Sequence, residues 1–190
     1  MFAADSLRQA LSVLGALLRD RGLTFEIVVV GGGGLLLLGV IQRPTKDLDA
    51  LALVEAGQYQ PARPLPKQLC EAVEDTAAVL NLATDWLNPG PTDQLKQGLP
   101  SGFRDRTTRH EFGGLIVHLA SRYDQICLKL YAAADSAPGS KHVQDLIELD
   151  PSGDELLDAA AWVKQQDAGV EFASFVDSVI AHVEAIRAER

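Results

Sequence analysis

The chain has 190 residues, of which 47% are hydrophobic and 23% are charged. This balance predicts a globular protein with enough apolar side chains for a sizeable core, organised as one compact domain with a helical appendage. The formal net charge of −9 argues against a protein that binds nucleic acid mainly by electrostatic attraction, because contacts to phosphates need clustered Lys and Arg side chains.

Neither a secretion signal nor a membrane span is expected. The first ten residues, MFAADSLRQA, lack a basic segment followed by an apolar one. The apolar runs elsewhere are far shorter than the roughly 18 residues that a spanning helix needs. We therefore expect a cytoplasmic protein that has no membrane partner.

The first half of the chain predicts helices that alternate with strands. An amphipathic helix is expected over residues 5–21, with leucines repeating at spacings of three and four. A buried strand follows over residues 25–30, where FEIVVV is a continuous β-branched and aromatic run. We then expect a short buried helix at residues 35–41, a second strand at residues 48–54 and a helix at residues 67–81.

The second half predicts one further strand and then helices. Residues 85–110 are rich in turn formers and predict irregular structure, and residues 114–120 predict the third strand. The helical patterns that follow cover residues 122–134, 141–149, 154–166 and 169–188. This order predicts an α/β (α+β) protein. We divide it into a core, residues 1–135, and a C-terminal helical region packed on that core, residues 136–190.

A run of four glycines, Gly31 to Gly34, follows the first predicted strand. Two common phosphate-binding patterns fail here at a residue that the chemistry requires. The dinucleotide pattern G-x-G-x-x-G would need a glycine at Leu36, and the P-loop pattern would need a lysine at Val40. The run therefore has to be read together with the Asp-Leu-Asp sequence that begins thirteen residues after Gly34.

Asp47 and Asp49 predict a pair of carboxylates on one side of a strand. Residues i and i+2 of a strand point the same way, so Leu48 turns into the core. Adjacent carboxylates repel each other unless a cation lies between them, and hard oxygen ligands suit Mg²⁺. Such an ion would bridge nucleotide phosphates, which glycine backbone N–H groups could approach closely. The alternative is a turn in which Asp47 caps a backbone group and Asp49 lies on a solvated face.

The segment VVVGGGGLLLLGVIQRPTKDLDALAL, residues 28–53, resembles a known family. It is similar to the minimal nucleotidyltransferases of the bacterial AbiEii-toxin-like type and their relatives, which share the fold of DNA polymerase β. Their pattern is an apolar strand, Gly-Gly, a small residue, a Leu-rich turn and then Arg-x-[Ser/Thr]-x-Asp-x-Asp. The matching residues are Gly31, Gly32, Gly33, Arg43, Thr45, Asp47 and Asp49.

A second block, YDQICLKLYAAADSAPGSKHVQDLIEL, resembles the downstream helix pair of the same family. In that pair a Lys lies in the first helix, and a Lys or Arg with an Asp opens the second. Lys129, Lys141 and Asp145 match these positions, and the segment DWLNPG also resembles this branch of the family.

The resemblance implies a nucleotidyltransferase-like core with a small mixed sheet flanked by helices. It implies transfer of a nucleoside monophosphate from an NTP to an acceptor, either tRNA or protein. Asp47 and Asp49 would bind Mg²⁺ or Mn²⁺, and Lys129 would compensate charge on the leaving phosphates. The nucleotide-binding residues would be Gly31, Gly32, Gly33, Arg43, Thr45, Lys141 and Asp145. Such proteins often belong to toxin–antitoxin systems, which implies a cognate toxin or antitoxin as partner.

Active members of the family usually carry a third carboxylate on the next core strand. No Asp or Glu lies between Phe112 and Tyr123, and His118 stands near the corresponding position of the predicted strand. The alternative function is therefore a catalytically lapsed nucleotidyltransferase-like protein that acts as a binding or regulatory module. A third interpretation is a plain α/β interaction domain in which the glycines serve only packing.

Overall fold

The chain packs into two compact units. A computed structural model describes residues 1–136, 140–167 and 169–189. The first unit comprises Met1–Leu99 and Phe103–Ala120, and the second comprises Pro100–Gly102 and Ser121–Arg190. The division at residue 135 that the sequence suggested stays a prediction.

The first unit is built on a mixed sheet, which has six strands within the described residues. The strands are β1 (Phe25–Val30), β2 (Leu48–Glu55), β3 (Gln58–Pro61), β4 (Leu87–Asn88), β5 (Thr108–Phe112) and β6 (Leu115–Leu119). Their order is β3-β2-β1-β6-β5, and β4 pairs with the first residues of β2. β1 is antiparallel to β2 and parallel to β6. The predicted fold class, a mixed sheet flanked by helices, is confirmed.

Five helices belong to this unit among its described residues. They are α1 (Ala4–Asp20), α2 (Gly31–Leu37), α3 (Lys67–Leu80), α4 (Gln94–Gln97) and α5 (Phe103–Arg106). A 3₁₀ helix, Gly90–Asp93, follows β4. α1 buries the leucines that repeat along one face, Leu7, Leu11, Leu14 and Leu18, and it packs against α3, β5 and β6. The burial of this stripe is what orders the helix, as the sequence periodicity predicts.

Several elements differ from the sequence-based expectation, among them α2, β3 and β5. α2 begins at Gly31 rather than at residue 35, so the glycines themselves form its first turn. β3 and β5 lie in segments for which loops were predicted. Both are edge strands whose side chains are mostly exposed, so they carry little of the alternation that marks a half-buried strand.

The second unit is helical, as predicted for the end of the chain. Its helices are α6 (Arg122–Ala134), α7 (Lys141–Glu148), α8 (Gly153–Lys164) and α9 (Val170–Ala188). α6 packs against the other three and is buried on most of its surface. None of the described helices of the chain is long and apolar enough to cross a membrane.

An ion pair inside the second unit joins α6 to α7. The Nζ atom of Lys129 lies 2.6 Å from Oδ2 of Asp145, and the two side chains are 8% and 0% exposed. Charges are rarely buried to this degree unless they are paired, because leaving water costs each ion several kcal/mol, of order 3 or more. The pair therefore constrains how α6 and α7 pack, since sliding one helix along the other would leave a buried charge alone.

We expect Gly15→Ala to lower the free energy of unfolding by about 1–3 kcal/mol, because an added Cβ atom in α1 would overlap the carbonyl group of Phe112. The matched control is Ser12→Ala on the exposed face of the same helix. Urea denaturation followed by circular dichroism measures both. Equal stability of the two variants would contradict the close packing of α1 on the turn that follows β5.

Removal of one partner of the buried pair should destabilise the protein strongly. We expect Lys129→Met to cost about 3–5 kcal/mol, because it leaves the carboxylate of Asp145 buried without its counter-ion. The double variant Lys129→Met/Asp145→Leu should recover a large part of that loss. The control is Lys164→Met, whose pair with Asp177 is exposed and should contribute less than about 1 kcal/mol. Thermal denaturation measures the stability of each variant. An equal loss of stability in Lys129→Met and in Lys164→Met would overturn the expectation.

Candidate functional site

Asp49 lies near the start of β2, at a junction of three strands. It stands opposite Val30 of β1 and level with Asn88 of β4. Its carboxylate lies against Gly31: a Cβ atom at Gly31 would overlap Oδ2 and would lie 3.2 Å from Cγ. Gly31 also has a φ angle of +73°, which L side chains rarely adopt. Asp49 therefore faces the glycine turn, which is the arrangement that the metal-site hypothesis requires.

The next two glycines lie against the segment that leads into β2. A Cβ atom at Gly32 would lie 3.1 Å from Oγ1 of Thr45 and 3.8 Å from a guanidinium nitrogen of Arg43. A Cβ atom at Gly33 would lie 2.7 Å from the leucine side chain that begins β2. The three glycines thus bring the first turn of α2 directly against the residues that the family resemblance assigns to nucleotide binding.

Backbone hydrogen bonds hold the approach to β2 from both sides. The N–H of Phe2 donates to the carbonyl of Thr45 at 2.6 Å, and the N–H of Thr45 donates to the carbonyl of Phe2 at 3.0 Å. The N–H of Leu48 donates to the carbonyl of Trp86 at 2.6 Å. Leu48 is fully buried, whereas Asp47 is partly exposed. This alternation is the one expected when two aspartates share the side of a strand opposite to their intervening leucine.

Asn88 is a candidate site residue that the sequence reasoning missed. It is level with Asp49 on the neighbouring parallel strand. Its Oδ1 atom accepts a hydrogen bond of 2.8 Å from the N–H of Gly90, and a Cβ atom at Gly90 would lie 3.8 Å from Oδ1 of Asp49. A carboxamide oxygen therefore lies beside the aspartate. A strand of two residues has no alternation to detect, and the signal available was the resemblance of DWLNPG to the family.

The predicted strand at residues 114–120, which is β6 in the structure, does not pair with the strand that carries Asp49. β1 separates β6 from β2, so β6 lies two strand spacings, roughly 10 Å, from β2. His118 on β6 is level with Val28, and its Nε2 atom lies 3.0 Å from Oε2 of Glu26. His118 therefore lies beside Glu26 and not beside Asp49, and its role as a third ligand stays a prediction; the residue level with Asp49 on the neighbouring strand β4 is Asn88.

The oxygen atoms that the chain offers here suit magnesium. Within the described residues, no group of three His, Cys, Asp or Glu side chains lies together so that it could hold a metal ion. The donors that the metal-site hypothesis assigns are the carboxylates of Asp47 and Asp49, and the structure adds the carboxamide of Asn88 on the strand next to Asp49. Proteins commonly hold Mg²⁺ through one or two carboxylates and leave the other positions to water and substrate phosphates. The donor set fits an ion completed by a nucleotide, and it does not fit a closed structural zinc site.

Two cationic side chains contact the segment that follows Asn88: Arg63 contacts the turn itself, and Lys96 contacts Asp93 just after it. The guanidinium of Arg63 donates to the carbonyls of Pro89 and Gly90 at 3.3 and 3.5 Å. A hydrogen bond from Lys96, together with the positive charges of Lys96 and Arg63, holds the pKa of Asp93 below its usual value. Both cations are thus paired with Asp93 in the segment that follows β4.

The other predicted site residues belong to the second unit. Lys129 and Asp145 form the buried pair of α6 and α7, and Lys141 begins α7 with its side chain exposed. The structure therefore brings Lys129 and Asp145 together with each other. Their contact with a nucleotide stays a prediction.

Comparison with known proteins identifies the family. A family model described as "Nucleotidyltransferase of unknown function" (DUF6036) matches residues 6–148, about three quarters of the chain. The match includes the glycine run, both aspartates, Asn88 and the buried pair. Searches of curated proteins and of solved structures gave no significant match. The resemblance drawn from the sequence is confirmed, and the chain belongs to this nucleotidyltransferase family.

Proposed function

We propose that the protein transfers a nucleoside monophosphate from an NTP to an acceptor, with Asp47 and Asp49 as the metal-binding residues. The observation that carries the proposal is the contact between the Asp49 carboxylate and the turn at Gly31. A solvated aspartate at the start of a strand has no need of a glycine there. The close approach is what a site needs when carboxylates and a phosphate-binding backbone must serve the same substrate.

Each side chain near the glycine turn has a distinct role in the proposal. Mg²⁺ or Mn²⁺, when bound, would bridge the phosphates and offset the charge that develops on them. Asp47 and Asp49 provide the anionic oxygens for it. Gly32 has no side chain beside Arg43, whose guanidinium group is a suitable donor to phosphate oxygens. Thr45 is kept as a nucleotide-binding residue on the family resemblance alone, because its hydroxyl donates to the carbonyl of Asp47 at 3.3 Å.

The proposal keeps Lys129, Lys141 and Asp145 as nucleotide-contacting residues on the strength of the family resemblance. Lys129 compensates charge on the leaving phosphates, and its pair with Asp145 fixes where the ammonium group lies. Lys141, exposed at the start of α7, adds a second cation. A tRNA or protein acceptor and a cognate toxin or antitoxin likewise rest on the resemblance, since a fold does not determine a substrate.

The second candidate function is a nucleotide-binding module without transferase activity. The observation that favours it is the carboxamide of Asn88 level with Asp49. Within the described residues, no third carboxylate joins the two aspartates. A neutral ligand attracts a cation less strongly than a carboxylate does, so such a site could hold a metal–nucleotide complex without positioning it for transfer.

A transfer assay separates the two candidates. The protein is incubated with each α-labelled NTP, with Mg²⁺ or Mn²⁺, and with total tRNA or a protein extract as acceptor. We expect labelling of the acceptor, and we expect Asp47→Asn and Asp49→Asn to reduce it by about 100-fold or more, because each removes a charged ligand. The control is Asp85→Asn, an exposed aspartate three residues before Asn88, which should keep full activity.

Two results would count against the proposed enzyme. Equal labelling by wild type and Asp49→Asn would overturn the assigned metal role. Metal-dependent binding of a non-hydrolysable NTP without labelling of any acceptor would support the binding module instead.

Substitution of Asn88 tests whether the third position belongs to the site. We expect Asn88→Asp to tighten Mn²⁺ binding by about tenfold or more, because it adds a negative charge beside Asp49, and Asn88→Ala to weaken it. Electron paramagnetic resonance of free Mn²⁺ measures the affinity, with and without a non-hydrolysable NTP. Asn81→Asp, at the exposed end of α3, makes the same chemical change elsewhere. Equal affinities in Asn88→Asp and Asn81→Asp would remove Asn88 from the site.

A further inference from the structure

The last helix of the second unit, α9, leaves large apolar side chains exposed. It has 19 residues, all described, of which Val176 and Val183 are buried. Phe175 is 55% exposed, and Val170 is 86% exposed. Single exposed apolar residues are common, but an apolar helix face that is wider than the part it buries indicates a surface that binds something.

The incompletely buried side of this apolar face lines a groove. The face is a stripe, called here the α9 stripe, that consists of Phe172, Phe175, Val179 and His182. The spacings of three and four residues place these side chains on one side of the helix. The opposite wall is formed by residues 133–136 at the end of α6 and by Val143 of α7, and the groove encloses about 610 Å³. All of these residues belong to the second unit.

The rim of the groove is acidic. Asp135, Asp167 and Glu171 line it, and none of the described lining residues is a lysine or an arginine. The Asp167 carboxylate accepts a hydrogen bond of 2.7 Å from the N–H of Gly169, a neutral donor that leaves its charge in place. The groove therefore combines an apolar floor with an uncompensated negative rim.

We propose that this groove binds a basic amphipathic helix of a partner protein, with its apolar side on the α9 stripe and its Lys or Arg side chains at the rim. The stripe extends from Phe172 to His182, eleven residues of helix, roughly 15 Å or three turns, which suits a helix laid along it. A second copy of this chain is a poor occupant, because both copies would bring acidic surfaces to the contact and each carries a net charge of −9. RNA is disfavoured by the same rim.

The test uses the full chain and two synthetic peptides of about 18 residues. One carries Leu at helical spacings of three and four with Lys elsewhere, and the other has Glu in place of every Lys. Fluorescence anisotropy of each labelled peptide gives its Kd. We expect the Leu/Lys peptide to bind in the micromolar range, to weaken with added salt, and to bind far more tightly than the Leu/Glu peptide.

Matched variants show whether the groove is the site. Phe175→Ser and, separately, Asp135→Asn/Glu171→Gln should each weaken binding of the Leu/Lys peptide by about tenfold or more. Leu157→Ser removes a comparably exposed apolar side chain from α8, and Asp154→Asn/Asp158→Asn removes the same charge outside the groove. These controls should change the Kd by less than about twofold. Val179→Ser replaces Phe175→Ser if circular dichroism shows that the latter is misfolded.

Three outcomes would overturn the proposal. The first is that the Leu/Lys peptide does not bind, or that it binds no better than the Leu/Glu peptide. The second is that the control variants weaken binding as much as the groove variants, which would show general attraction to an acidic protein. The third is a dimer in sedimentation experiments that Phe175→Ser converts to a monomer, which would make a second copy the occupant. None of these results depends on transferase activity, so the proposed function stands or falls separately.

Discussion

There is no room for a side chain between the first turn of α2 and the start of β2. The position of a Cβ atom at Gly31 is filled by the Asp49 carboxylate, and that at Gly33 by the leucine that begins β2. Ordering glycines costs more backbone entropy than ordering other residues, so the run has to be offset by this close packing. The same contact places Asp49 where β1, β2 and β4 meet. The glycines and the aspartates thus form one structural device, whether or not a phosphate binds to it.

Local sequence could predict the parts of this device but not how the sheet completes it. The leucine periodicity of α1, the apolar run of β1 and the Asp-Leu-Asp alternation are properties of neighbouring residues, and the structure follows them. The partner of Asp49 depends instead on strand order. β4 is two residues long and joins β2 through a pairing across nearly forty residues of chain. His118 is a polar residue in an apolar strand, but its partner Glu26 lies 92 residues away in the chain and could not be inferred from local sequence.

The carboxamide of Asn88 changes how much of the negative charge around a bound metal ion would come from the protein and how much from the substrate. Two carboxylates and a neutral oxygen repel one another less than three carboxylates do, so the site is easier to fold without a metal ion. The same neutrality lowers the affinity for a free cation. Under the proposed function, the phosphates of the NTP therefore contribute much of the negative charge that holds the ion, and metal and nucleotide should bind as a complex.

In the second unit a buried ion pair fixes how two elements pack, as the glycine contacts do in the first unit. Lys129 and Asp145 tie α6 to α7, and the ends of these helices form one wall of the acidic groove. The other wall is α9, whose side chains the structure describes in full. Two of them, Val176 and Val183, are buried, so α9 shares little of the core of this unit. A ligand that binds only the packed form stabilises that form in proportion to its occupancy. A basic helix on the α9 stripe would therefore add apolar burial where α9 has least of it, against the wall that the ion pair holds in place.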